Sequence, residues 1–276
     1  MKNKTTFLVL LLSLSIFFNC GSDNDSKITE DATEIPNTVN TTSIDWDNLS
    51  DGSYTETQAK KDFGNISSWN DSRADIVDET LRIKLVANSL SNGGIIAKWD
   101  IENASSYEIS YDVLFDSNFD WSKGGKCGFG FQLGDGNTGG DPAWDGNGGS
   151  MRIMWYTNSQ GKTYLQPYAY YKDQPTEFGD NFGKSYPTTG NLQKNQWYTI
   201  KISVKSNTDD NINGTVFMSV NDVVLVSQDV RWTTDNIKSL INKITFTTFR
   251  GGSTDEWKSS EESYIYYDNL SYKILE

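Results

Sequence analysis

Apolar side chains recur at every second position in one stretch after another of this chain, and that period commits it to strands. Leu81, Ile83 and Leu85 alternate with Arg82 and Lys84, while Tyr107, Ile109, Tyr111, Val113 and Phe115 form a longer row. Tyr198, Ile200, Ile202 and Val204 alternate with Thr199, Lys201 and Ser203, and Val216, Met218 and Val220 make another row. Ile244 and Phe246 open a further strand, and Tyr264 to Tyr272 closes the chain as one. Residues two apart on a strand share a face, so each row is a face that asks to be buried. Clusters of Gly, Asn and Asp separate the rows: Asn92-Gly93-Gly94, Gly134 to Gly149, and Asn213-Gly214. Only Thr55 to Phe63 and Thr234 to Ile241 carry a helical period longer than a turn or two. Many strands and long glycine-rich loops predict an all-β domain over residues 46–276, a jelly-roll sandwich of two antiparallel sheets with a concave cleft.

The first 45 residues read differently. Lys2 and Lys4 precede an apolar-to-small run from Phe7 to Phe18, followed by Asn19-Cys20-Gly21-Ser22. A basic start, a short apolar middle and a small-residue exit make residues 1–20 a signal peptide, too short to span a bilayer. Cys20, one intervening residue beyond the run, resembles a bacterial lipoprotein cleavage site, which implies lipidation of Cys20 and anchoring at the outer membrane, with periplasmic or secreted placement as the alternative. Residues 21–45 are rich in Ser, Asp, Asn, Thr and Glu and have almost nothing to bury, as expected of a flexible acidic linker. An acidic stretch after a lipidated cysteine resembles the surface-export signal of some bacterial lipoproteins.

The chain contains no histidine and only two cysteines, Cys20 and Cys127. Ser-His-Asp and Cys-His hydrolase sites, His-ligated metals, Cys-rich zinc sites and disulfide scaffolds are therefore excluded. Acid–base chemistry must run on Lys, Tyr, Asp, Glu or groups assisted by Arg, and no cofactor is expected. With 24 basic against 37 acidic side chains, a net charge of −13, nucleic acid is not an expected partner. The glycine-rich stretch Gly134 to Gly149 lacks the Gly-Lys-Ser/Thr ending of a phosphate loop. Its Asp135, Asn137, Asp141, Asp145 and Asn147 offer oxygens to calcium, but without EF-hand spacing or a closing Glu the stretch reads as a solvated loop.

Two short patterns carry chemistry. In Gly149-Ser150-Met151-Arg152-Ile153-Met154-Trp155, a strand puts Met151, Ile153 and Trp155 on one face and Ser150, Arg152 and Met154 on the other. The first set belongs in the core, so Ser150 and Arg152 face out. In Tyr164-Leu165-Gln166-Pro167-Tyr168-Ala169-Tyr170, Tyr168 and Tyr170 share a face, and a hairpin would set them beside Ser150 and Arg152. Upstream, Lys126 follows Gly124-Gly125. Such residues suit β-elimination on a uronic-acid polymer. Removing the C5 proton beside a carboxylate piles charge on charge unless a cation holds the carboxylate. Arg152 is always charged and binds two oxygens at once. Lys126 or a tyrosinate can act as base if its pKa is lowered, a tyrosine hydroxyl can protonate the leaving O4, and Ser150 can brace the carboxylate or the base.

In their order and spacing these pieces resemble polysaccharide lyase family 14, the alginate and glucuronate lyases with a β-jelly-roll fold. The matching residues are Gly-Gly-Lys at 124–126, Ser-x-Arg-x-Met-Trp at 150–155, Tyr-x-Tyr at 168–170, and Thr248-Phe249-Arg250-Gly251-Gly252-Ser253 followed by Trp257. The resemblance spans about residues 50 to 276 and implies an active site of Lys126, Ser150, Arg152, Tyr168 and Tyr170, acting on an acidic polysaccharide, alginate or glucuronan. Arg250, Gln132 and Lys172 are candidates for binding further uronates. Trp155 and Phe246 belong to the core, and Cys127 reads as a small buried hydrophobe.

Two other functions compete. A non-catalytic carbohydrate-binding lipoprotein would use the same abundant aromatics to stack on sugars, since fold does not determine function. A paired-carboxylate glycoside hydrolase would need Glu-x-Asp-x-x-Glu on one strand, and the chain has no such motif. A polyanionic substrate also demands that the acids lie outside the cleft and the cations inside it.

Overall fold

The computed structural model describes residues 40–275. The signal-peptide reading, Cys20 and most of the acidic stretch lie outside the described residues. The strands are β1 (Thr41–Ile44), β2 (Gly52–Ser53), β3 (Ala74–Val77), β4 (Thr80–Leu85), β5 (Ile95–Ala104), β6 (Ser106–Phe115), β7 (Gly124–Gly134), β8 (Gly148–Thr157), β9 (Thr163–Tyr170), β10 (Trp197–Lys205), β11 (Gly214–Val220), β12 (Val223–Val230), β13 (Ile241–Arg250) and β14 (Ser263–Ile274). They form two antiparallel sheets. One has the order β12-β11-β10-β6-β14-β4-β3-β2, with β1 also paired to β14, and the other has the order β5-β13-β7-β8-β9. Sequence neighbours β6 and β7 lie in different sheets, as do β12 and β13, so the chain crosses between layers as a jelly-roll sandwich does.

The alternating rows face the space between the sheets. Leu81, Ile83 and Leu85, the β6 row from Tyr107 to Phe115, and Ile200, Ile202 and Val204 are all buried. Across from them, Phe129 of β7 stacks on Phe246 of β13 with ring centroids 4.4 Å apart, and Tyr111, Trp99 and Tyr267 meet Phe129 edge-on. The Tyr111 hydroxyl donates to the Phe129 carbonyl at 3.3 Å, so burying that phenol leaves no donor unpaired. Cys127 is a free, buried thiol in this layer.

One α-helix, α1 (Glu56–Phe63), fills the first helical stretch. The Thr55 hydroxyl accepts from the Gln58 amide at 3.3 Å, Glu56 opens the first turn, Lys60 and Lys61 occupy the last, and Gly64 at φ 82° ends it. Ala59 and Phe63 anchor it, with Phe63 4.7 Å from Trp99. The second helical stretch yields only a single 3-10 turn, Asn236–Lys238, and Ile241 already begins β13. Ile237 is 90 % exposed, so a longer helix there would have no face to bury. β1 falls inside the stretch whose composition suggested a linker, and it registers Thr41 to Ile44 against Lys273 to Leu270. Composition asks what side chains a segment can bury, whereas this strand is held by a backbone ladder plus one buried side chain, Ile44.

Candidate active site

The outer face of the five-stranded sheet carries the groove, and its residues follow from strand parity. On β8, Met151, Ile153 and Trp155 enter the core, which turns Ser150, Arg152 and Met154 outward. On β7, Cys127, Phe129, Phe131 and Leu133 are core, so Lys126 and Gln132 share the outer face. Backbone register sets these side chains in transverse rows. Phe249 pairs with Lys126, Lys126 with Met154, and Met154 with Gln166. Gln132 pairs with Ser150 and Ser150 with Tyr170, while Arg152 pairs with Tyr168. The groove has a volume of about 990 Å³ and spans all five strands, from Ile96 and Lys98 on β5 to Gln166 and Tyr168 on β9.

Lys126, Arg152 and Tyr168 converge. Lys126 is 6 % exposed and Arg152 5 % exposed. The Lys126 amine lies 3.6 Å from the centre of the Tyr168 ring and 3.8 Å from the Met154 sulfur. The Arg152 guanidinium carbon lies 5.4 Å from the Tyr168 ring centre and 5.5 Å from that of Tyr170. Neither cation forms an ion pair among the described residues, and Nε and Nη2 of Arg152 are buried without a hydrogen-bond partner. A buried, unpartnered guanidinium is costly. Arg152 is one of the residues lining the groove, where a guanidinium is suited to a carboxylate. Burial, and then the nearby Arg152 charge, hold the Lys126 amine well below the ordinary lysine pKa. Burial, together with the Tyr170 hydroxyl, pushes the Tyr168 phenol up, so it keeps its proton.

Ser150 and Tyr170 lie beside this cluster and hold its wall. The Ser150 hydroxyl donates to the Asn137 carbonyl at 2.7 Å, and the Tyr170 hydroxyl accepts from the Gly140 amide at 3.2 Å. Both draw the glycine-rich loop inward, so that Thr138 and Gly139 form one lip of the groove. Gln174 ties that lip to the next loop, its amide oxygen accepting from the Ala143 amide at 3.3 Å and its amide nitrogen donating to the Thr176 carbonyl at 2.7 Å. Gly179 lets this second loop close on Tyr168, since a Cβ there would sit 2.7 Å from the ring. The opposite lip is formed by Gly251 to Thr254 with Trp257. Among the described residues no cluster of acidic or cysteine side chains is arranged to hold a metal ion.

The other candidates separate. Gln132 lines the groove. Arg250 does not reach it. Its parity on β13 matches Phe246 and Thr248, and its guanidinium donates to the Asp120 carbonyl at 2.7 Å and to the Ser122 and Ser263 hydroxyls at 2.8 Å. Burial lowers its pKa to about 10. Lys172 donates to the Trp144 carbonyl on the outside of the loops. Thr245, Thr247, Phe249 and Lys98 line the groove without having been singled out. The same period-two count, extended from Ile244 and Phe246 to their alternate positions, would have found the three on β13.

The charge arrangement answers the requirement raised by a net charge of −13. Of the charged residues lining the groove, Lys98, Lys126 and Arg152 are cationic and only Glu256 is acidic, and Glu256 is paired with Lys123.

The two-sheet jelly roll carries a Lys–Arg–Tyr cluster in the groove of its five-stranded sheet, an arrangement suited to a polysaccharide lyase. The polysaccharide lyase 14 family model matches residues 75–270, and the chain belongs to that family. The alginate lyase Aly36B has a solved structure that is 49 % identical, aligns over 85 % of this chain and 97 % of its own, and superposes with a TM-score of 0.84. Double variants of it, one with a lysine and a tyrosine replaced and one with a lysine and a methionine replaced, have been solved with alginate tetrasaccharide and trisaccharide. The alginate lyase of Aplysia kurodai shares the fold at 22 % identity, with a TM-score of 0.62 over 79 % of this chain and 94 % of its own. Exolysin of Paramecium bursaria Chlorella virus 1 is 29 % identical over 201 residues, 63 % of this chain. The chain spans only 30 % of the length of that relative.

Proposed function

We propose that this chain cleaves alginate by β-elimination, with Arg152 holding the reacting uronate's carboxylate, Lys126 as base and Tyr168 as acid. The observation that carries this reading is the buried pair of basic side chains without acid partners, Lys126 and Arg152, on the floor of one groove. The relatives add support. The lysine and tyrosine replaced in one alginate-bound variant stand 42 positions apart, and the lysine and methionine of the other stand 28 apart. Lys126 is 42 positions from Tyr168 and 28 from Met154.

The chemistry follows from the electrostatics. The Arg152 guanidinium binds the carboxylate and stabilises the charge that spreads into it as the C5–H bond breaks. The Lys126 amine, neutral at lower pH than an ordinary lysine, accepts the C5 proton. The C5–H electron pair becomes the C4=C5 double bond, the C4–O4 bond breaks, and the Tyr168 hydroxyl gives its proton to O4. Proton transfer from the Lys126 ammonium to the Tyr168 oxygen, directly or through water, restores both groups. Lysine rather than tyrosinate is the base on this reading, because burial supports a neutral amine and a neutral phenol. Ser150 and Tyr170 act on this reading through the lip they hold.

The test mixes the purified protein separately with alginate, polymannuronate, polyguluronate and glucuronan and follows the ultraviolet absorbance of the new conjugated double bond. Absorbance that rises on alginate and is abolished in Lys126→Ala and Tyr168→Phe supports the assignment. A rise on glucuronan alone would transfer the activity to that polymer. A flat trace on all four with retained binding would leave a carbohydrate-binding protein. We also propose that residues 1–20 direct export and that Cys20 carries lipid, on the sequence pattern alone. Incorporation of labelled fatty acid that is lost in Cys20→Ser tests it.

A further inference from the structure

We propose that Lys98 forms a second carboxylate-binding subsite that engages a uronate about three sugars from the one held by Arg152. This rests on the polyuronate lyase reading and adds a length-dependent site to it. Lys98 on β5 registers with Thr245 on β13, and Thr245 with Gly130 on β7. A Cβ on Gly130 would lie 3.2 Å from the Cα of Arg152 on β8, so these four positions form one row across the sheet. Neighbouring strands are about 4.8 Å apart, which sets β5 about 14 Å from β8.

A 1,4-linked uronate chain carries one carboxylate per ring and advances by roughly one strand spacing per ring. A chain laid along the row therefore brings its carboxylates past Lys98 and Arg152 about three rings apart. The two positions between them in the row, Thr245 and Gly130, carry no large side chain. Gly130 has no side chain, and a Cβ there would meet the Met151 carbonyl at 2.1 Å. Thr245 and Thr247 border the path on β13, and the buried Thr247 hydroxyl has no hydrogen-bond partner.

Lys98 is available for this role. It is exposed, lines the groove and forms no ion pair among the described residues. The acid nearest in its row of alternate positions, Asp100, is occupied: its two carboxylate oxygens take the Lys243 amine and the Asn65 side-chain amide. Lys98 therefore differs from Arg152 in kind. It is a solvated point charge that adds affinity and selects for polyanions, remote from the bond being broken.

The experiment compares wild type with Lys98→Ala, Lys98→Glu and Lys98→Arg on purified uronate oligosaccharides from the trisaccharide upward and on polymer. A trisaccharide cannot reach from the Arg152 position to Lys98. The expected result is an unchanged kcat/KM for Lys98→Ala on the trisaccharide and a fall of about two- to five-fold on long substrates, carried by KM. Lys98→Glu should fall further, Lys98→Arg should hold near wild type, and the difference should shrink at high salt. Equal effects at every length, or none at any length, would overturn the subsite while leaving the lyase intact. A wild type inactive on every substrate would instead overturn the lyase reading.

Discussion

Replacing Lys126 with Met should stabilise the protein at neutral pH, and the gain should disappear as the solution is made alkaline. The side chain is 6 % exposed, and its nearest partners are a thioether and a ring face. A cation over an aromatic face gains about 0.5–2 kcal/mol, whereas desolvating an ion costs several kcal/mol, and the Arg152 charge adds repulsion. Desolvation wins, so the folded-state pKa lies below that of the unfolded chain. Between those two values the unfolded chain binds a proton that the native protein does not. Wild-type stability should therefore rise with pH relative to Lys126→Met by up to about 1.4 kcal/mol per pH unit. The handicap is constant and largest below the folded-state pKa and vanishes above about pH 10.4, the unfolded value. Met keeps the length and packing beside Met154 and removes the charge. Urea denaturation of both proteins at intervals from pH 6 to 11 measures the difference, from which tyrosine ionisation common to both cancels. A difference that stays flat with pH would mean that Lys126 is protonated in the native groove, held as a cation by Tyr168, and would refute its assignment as base.

Three further outcomes follow from the same geometry. Arg152→Lys should lower kcat by about 10²- to 10³-fold in the double-bond absorbance assay, because a point charge cannot span both carboxylate oxygens. The acid side of the wild-type rate profile should follow deprotonation of Lys126, rising at a pH below the ordinary lysine range, and a profile rising only at ordinary lysine pKa would contradict the buried amine. Phe129→Ala removes a fully buried ring packed on Phe246, Tyr111, Trp99 and Tyr267 and should lose about 3–5 kcal/mol in chemical denaturation.

The strand rows were legible because a sandwich buries one face of each sheet, and a face of alternating residues can be counted in one dimension. Ser150, Arg152 and Met154 follow from Met151, Ile153 and Trp155 by that count, as Tyr168 follows from Ala169. Arg250 shows where the reading stopped short. It belongs to a family-like motif, but its parity with Phe246 sends it to the inner side, to Asp120, Ser122 and Ser263. Lys98 is the opposite case: β5 shares no motif with the site and joins it only by pairing with β13.

Alternation, glycine punctuation and the absence of histidine belong to the amino-acid sequence alone. Together they determined an all-β sandwich and chemistry restricted to lysine, arginine, tyrosine and carboxylates. Which of two tyrosines faces the groove and which braces a loop was decided only by tertiary structure. Tyr168 and Tyr170 have the same parity, the same chemistry and neighbouring positions, and no local rule separates them. The difference lies in what the rest of the chain brings to each hydroxyl: the Gly140 amide reaches Tyr170 from a loop thirty residues away, whereas the Lys126 amine meets the face of Tyr168 from two strands across. The same holds for the lowered pKa of Lys126. It arises from burial and from the nearness of Arg152, properties of a three-dimensional neighbourhood that the order of residues only implies.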